Sequence, residues 1–219
     1  KELENEKSGV RNMNLLLYGP SGTGKTEFAK FAAQELGLPL IAKKASDLLS
    51  MWVGMTELLI REAFKEAERE RGILFIDEAD GLISERGNAH RNWEVTQVNE
   101  FLADMEEFKG ILICATNFKK NMDSASIRRF NLKVEFDYLD NNGKLIFYKK
   151  ILEPISNKPL SEEEKAELER IENLAPGDFK VARQKNLFVP KEEISNALLL
   201  EALRDEVAAK NIKTNRIGF

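Results

Sequence analysis

The segment GPSGTGKT, residues 19 to 26, follows the apolar run NLLLYG (14 to 19) and opens the helical pattern KTEFAKFAAQELG (25 to 37). A strand that passes through a glycine-rich turn straight into a helix leaves few architectures open. The spacing satisfies G-x-x-x-x-G-K-[ST]. Gly22 and Gly24 allow the backbone to curl until its N–H groups converge, and the helix N-terminus adds positive potential at the same point.

Such a loop is built to cradle a polyphosphate. Gly19, Pro20, Ser21, Gly22, Thr23, Gly24, Lys25 and Thr26 are therefore candidate ATP-binding residues, with Lys25 reaching the terminal phosphates and Thr26 offering a hydroxyl to Mg²⁺. A second element supports this. ILFIDEAD (73 to 80) ends an apolar run in adjacent carboxylates, where open α/β sheets bind ligands at the carboxyl ends of their strands. Asp77 is the candidate partner of Thr26 for Mg²⁺, and Glu78 the candidate base that orients and deprotonates an attacking water. The second carboxylate favours ATP hydrolysis over a switch or a small-molecule kinase.

The remaining pattern predicts the scaffold. Apolar runs recur at LPLIA (38 to 42), GILFID (72 to 77), GILICATN (110 to 117) and LKVEFDY (132 to 138). All but the last read as strands buried on both faces, whereas LKVEF alternates and suits an edge. Helical patterns fall between them at TELLIREAFKEAERERG (56 to 72), with Thr56 as its N-cap, and EVTQVNEFLADMEEF (94 to 108). Glycines 37 and 72 suit the C-terminal ends of the first two helices. This alternation predicts an α/β fold with a parallel sheet and helices on both faces. After Asp140 only helical patterns remain, one of them capped by Ser161. The expected division is a P-loop α/β ATPase domain over 1–139 and a small helical lid over 140–219, with a hinge near Asp140 to Gly143.

Composition closes off other classes. One Cys and one His leave no disulfide and no cysteine metal cluster, which suits a reducing compartment, so cytoplasm is expected. No apolar run is long enough to span a bilayer, and KELENEKSGV is too polar for a signal peptide. Because the sequence begins with Lys and enters its first strand at once, it reads as a domain excised from a longer protein. A net charge of −4 gives no field to attract nucleic acid.

Taken together, GPSGTGKT, ILFIDEAD and ICATN resemble an AAA+ ATPase module of the AAA subfamily, the group that includes katanin, spastin and the membrane-anchored AAA proteases. The resemblance implies that Asn117 senses the γ-phosphate. It also implies that SIRRFNLKVEF (126 to 136) carries arginine fingers, Arg128 and Arg129, into a neighbouring subunit's site, with the division of labour between the two open. A site completed by a neighbour requires a head-to-tail interface, hence self-association into a ring or spiral. The family implies six subunits.

ASDLLSMWVGMTE (45 to 57) resembles the family segment that presents an aromatic-hydrophobic pair to a central pore. Met51, Trp52 and Val53 would then grip an extended polypeptide through apolar contact. The alternative is that Trp52 fills the core. SERGNAHRNWE (84 to 94) resembles a second pore loop, with His90 and Trp93 facing the channel. Lys180 and Arg183, in LAPGDFKVARQK (174 to 185), fall where related modules carry a second sensor. No H-E-x-x-H motif is present, so the chain is not itself a metalloprotease.

The expected activity is Mg²⁺-dependent ATP hydrolysis driving remodelling, unfolding or disassembly of a protein substrate. A nucleic-acid motor on the same fold would want basic pore loops, and residues 50 to 57 contain no Lys or Arg. A nucleotide-dependent scaffold would not need Glu78.

Overall fold

The structure is a computed structural model that describes residues 12–50, 52, 54–83, 92–117 and 124–211. Among the described residues, five strands form one sheet: β1 (Met13–Tyr18), β2 (Leu40–Lys44), β3 (Ile73–Asp77), β4 (Ile111–Thr116) and β5 (Leu132–Glu135). They pair in the order β2-β3-β4-β1-β5, every pair parallel. Tyr18 lies opposite Thr116 and Ile76 opposite Cys114, so the carboxyl ends of the three inner strands finish side by side.

Strand side chains alternate between two faces, and each face has its own core. Leu16, Leu74, Ile76, Leu112 and Cys114 join one buried cluster, and Leu17, Ile73, Phe75, Ile113 and Ala115 the other. Against the first lie α3 (Met55–Glu70) and α5 (Asn92–Glu107), which bury Ile60, Ala63, Phe64, Ala67 and Val98, Phe101, Leu102, Met105 at helical spacing. Phe64 stacks edge-on against Phe108 with ring centroids 5.2 Å apart. Against the second lies α1 (Lys25–Leu36), through Ala29 and Ala33. Burial of each large apolar side chain contributes about 1.5–3 kcal/mol.

The central strands β3 and β4 are buried on both faces, and β5 is an edge strand, as its alternation predicted. LPLIA departs from expectation. Its strand β2 is the other edge, runs on to Lys44, and buries only Ile41. Two helix ends differ as well. Thr56 is not the N-cap of α3; Gly54, at φ 81°, takes that place, while the fully buried Thr56 hydroxyl accepts the Ser50 N–H at 2.9 Å. At the other end Arg71, not Gly72, adopts the left-handed conformation, at φ 51°. Gly72 answers a different need, because a Cβ there would stand 2.6 Å from the Pro39 carbonyl oxygen. Short helices at α2 (Ala45–Leu48), α4 (Asp80–Ile83) and α6 (Ser124–Arg128) complete this part.

The chain divides into two compact units, the first ending at Phe136 and the second beginning at Asp137 and taking in the loop Ser21–Gly24. The second contains α7 (Asn141–Phe147), a wider π turn at Tyr148–Leu152, α8 (Glu162–Arg170), α9 (Pro176–Lys185) and α10 (Asn196–Asn211). Asp140–Gly143, where a hinge was expected, is the capped first turn of α7, with the Asp140 carboxylate accepting the Gly143 N–H at 2.7 Å. Ser161 and Glu164 form the capping box of α8. A separate 3₁₀ turn at Lys191–Glu193 precedes α10.

A buried polar hub organises this unit. Asn196, fully buried, accepts from the Tyr148 hydroxyl (3.0 Å) and the Ser156 hydroxyl (2.6 Å) through Oδ1, and donates through Nδ2 to the Pro159 carbonyl (3.1 Å) and Glu164 (2.8 Å). Replacing it strands several buried groups at once. Asn196→Ala is expected to destabilise the unit by about 2–4 kcal/mol. Urea unfolding followed by circular dichroism checks this, and a loss below about 0.5 kcal/mol would contradict it.

No helix among the described residues is long and apolar enough to cross a membrane.

Candidate functional site

β1 ends where the loop begins, and Gly19 is the pivot. At φ 138° it lies in a region closed to most side chains, and a Cβ would sit 1.8 Å from the Phe136 carbonyl oxygen. Its N–H donates to the Thr116 carbonyl at 3.2 Å, tying the loop's start to the end of β4. Gly22 and Gly24 also carry positive φ, 79° and 104°, as a curled loop requires.

Lys25 opens α1 and is buried, its ammonium donating to the Gly19 (2.7 Å) and Pro20 (2.8 Å) carbonyls. Burial pulls it below the ordinary lysine range, while the Asp77 and Asp80 carboxylates pull it back up. The loop's own carbonyls thus hold a cation against it.

The next residue, Thr26, donates its hydroxyl to Asp77 Oδ2 at 2.8 Å. These two groups, 51 residues apart in the chain, are thus brought together as the sequence predicted. A hydroxyl beside a carboxylate is a hard-oxygen pair that fits Mg²⁺, which keeps most of its shell for water and phosphate. Asp77 Oδ1 accepts the Glu78 N–H at 2.9 Å. Glu78 itself has φ 54°, a conformation that costs a non-glycine residue free energy, and its side chain is exposed at the carboxyl edge of the sheet. The strained residue follows directly on the strand that Asp77 terminates.

Two residues that sequence reasoning passes over lie at the same edge. The Thr116 hydroxyl, nearly inaccessible, donates to the Asp80 carboxylate, and the Ala79 N–H donates to the Ala115 carbonyl at 2.9 Å. The end of β4 is thereby locked to the turn after β3, just before Asn117, which is exposed. The signal was present: Asp80 closes the same acidic run as Asp77, and Thr116 precedes Asn117 directly.

The two arginines are separated by their surroundings. Ser126 and Phe130 face inward, which leaves Arg128 exposed on the last turn of α6. The Arg129 guanidinium pairs with Glu106 of α5. The turn is stitched to the start of β1: Asn14 N–H donates to Asn131 Oδ1 (2.7 Å), and Asn14 Nδ2 to the Arg129 carbonyl (3.2 Å).

Trp52 is 76% exposed, so it does not fill the core. Its N–H donates to the Ser50 hydroxyl at 3.2 Å and its carbonyl accepts the Met55 N–H at 3.2 Å, a compact turn that holds the ring out. Met55 and Leu58, one helical turn apart, are exposed beside it in sequence. Met51 and Val53 lie outside the described residues, as do His90 and the side chain of Trp93. Lys180 and Arg183 are both exposed on α9.

A model of the ATPase family associated with various cellular activities (AAA) matches residues 15–138, more than half of the chain. Spastin of Ixodes scapularis is 35% identical over 164 residues, covering 72% of this chain and 25% of that protein. The ATP-dependent zinc metalloprotease FtsH of Lactiplantibacillus plantarum is 34% identical over 203 residues, 88% of this chain and 26% of its own length. The chain thus spans about a quarter of each of these curated relatives. The crystal structure of the FIGL-1 AAA domain in complex with ADP superposes with a TM-score of 0.67 at 23% identity, covering 90% of this chain and 77% of that one, a likeness of fold. With a family match of that extent on a sheet of this topology, the chain belongs to the AAA family of ATPases.

Proposed function

We propose that this chain hydrolyses ATP with Mg²⁺ and uses the cycle to remodel a protein substrate, as part of a ring or spiral of six copies in the cytoplasm. Residues 1–139 act as the ATPase domain and 140–219 as a helical lid. The loop 19–26 and Lys25 hold the phosphates; Thr26 and Asp77 would hold Mg²⁺, which when bound would offset charge on the phosphate oxygens. Glu78 orients the attacking water and takes its proton, and Asn117, just past the end of β4, senses the γ-phosphate. Arg128, exposed where Arg129 is paired, is the arginine a copy presents to its neighbour.

The observation that carries the protein-remodelling reading is Trp52: an aromatic ring 76% exposed on a hydrogen-bonded turn, in a stretch, residues 50 to 57, without Lys or Arg. Exposed apolar groups of this kind mark interaction sites, and a ring binds many side-chain types by apolar contact alone. Met51 and Val53 extend the grip, and His90 and Trp93 form a second one. Lys180 or Arg183 approaches the nucleotide as second sensor. The test is stimulation of ATP turnover by an unfolded polypeptide. Trp52→Ala is expected to reduce the stimulated-to-basal ratio to about one, through loss of roughly 2 kcal/mol of apolar contact. An unchanged ratio in the variant would sink the reading, and stimulation by single-stranded nucleic acid instead would favour the motor alternative.

A further inference from the structure

Lys210, in the last turn of α10, donates to the Asp178 carboxylate and to the Asn173 carbonyl (3.0 Å), and its ammonium stands 5.1 Å from the centroid of the Tyr138 ring. Asp178 is buried, and the same oxygen accepts the Ala175 N–H at 2.7 Å. A buried carboxylate without such partners would be costly. The stretch leading into α9 is therefore tied at residues 173, 175 and 178, and Asn173 is held there at φ 59°.

The same stretch meets the phosphate loop. The Gly177 N–H donates to the Gly22 carbonyl at 2.9 Å, and a Cβ on Gly177 would lie 3.2 Å from Gly22 Cα. In a planar trans peptide the carbonyl of one residue and the N–H of the next point in opposite directions. A bond that fixes the Gly22 carbonyl consequently fixes the direction of the Thr23 N–H, one of the donors of the loop.

We infer that Lys210 is a positioning residue for the nucleotide. By pinning Asp178 it sets Gly177, and Gly177 sets the Gly22–Thr23 peptide in the orientation that receives phosphate. The inference rests on reading residues 19–26 as the nucleotide loop.

The experiment is equilibrium binding of a fluorescent ADP with Mg²⁺ to the full chain, together with thermal unfolding without nucleotide. Lys210→Met is expected to weaken binding roughly tenfold at a temperature well below its unfolding transition. Lys210→Arg, which keeps the charge and the donors, is expected to return affinity to within about threefold of the unaltered chain. A lower unfolding temperature with unchanged affinity would show Lys210 to be purely structural and overturn the inference. Should Lys210→Met fail to fold, Asp178→Asn, which keeps an acceptor for Ala175 but loses the ion pair, is read by the same two outcomes. Lys25→Ala is the control: if it binds ADP as tightly as the unaltered chain, the reading of the loop fails, independently of Lys210.

Discussion

Glu78→Gln is expected to lower ATP turnover by about 10²–10⁴-fold while ATP still binds, the loss typical of removing a positioned general base. Glutamine has the same length and tolerates the same φ of 54°, so the turn after β3 survives. What disappears is the ability to take a proton. Asp77 keeps its bond to Thr26 and its bond from residue 78's backbone, so the proposed Mg²⁺ pair is intact. Single-turnover hydrolysis and equilibrium ATP binding, measured side by side, check the separation. Turnover within about threefold of the unaltered chain would remove Glu78 from the chemistry.

The second large effect is expected at Arg128. Arg128→Ala should lower turnover by roughly 10³-fold at protein concentrations where copies associate, as loss of a guanidinium supplied to a transferred phosphoryl group does elsewhere. The unaltered chain should show a rate per copy that rises with concentration, and the variant a rate that stays flat. Arg128→Lys should recover little, because an ammonium lacks the planar fork. Arg129 differs in its surroundings, since its guanidinium is already occupied by Glu106 in the same chain. If Arg128→Ala retained the concentration-dependent rise and Arg129→Ala lost it, the assignment would reverse.

The strand–loop–helix at residues 13 to 36 was legible because each requirement is local: glycines for curvature, a lysine and a hydroxyl at fixed offsets, a strand before and a helix after. The Thr26–Asp77 pair was legible through two such local motifs, even though it spans 51 residues. Where sequence reasoning erred, a tertiary or loop contact outside the local pattern decided. Gly72 looked like a helix terminator, but it is small because Pro39 passes beside it. Thr56 looked like a cap, but its hydroxyl serves Ser50. LPLIA has the apolar character of an inner strand, yet nothing in it encodes that β2 has a single neighbour. Asp80 and Thr116 become a pair only once β3 and β4 are adjacent. The Asn196 hub gathers Tyr148, Ser156, Pro159 and Glu164 from separate segments, a convergence without periodicity to announce it.

The claim at the centre is that a catalytic site on one copy is completed by Arg128 of the next, and mixing two inactive variants addresses it most directly. Glu78→Gln copies retain Arg128, and Arg128→Ala copies retain Glu78. In a random head-to-tail assembly of equal parts, about a quarter of the sites join an intact Glu78 to a neighbour's Arg128. The mixture is expected to regain roughly that fraction of unaltered turnover. A mixture no more active than the mean of its two components would mean that each copy works with its own residues alone, and that the shared site does not exist.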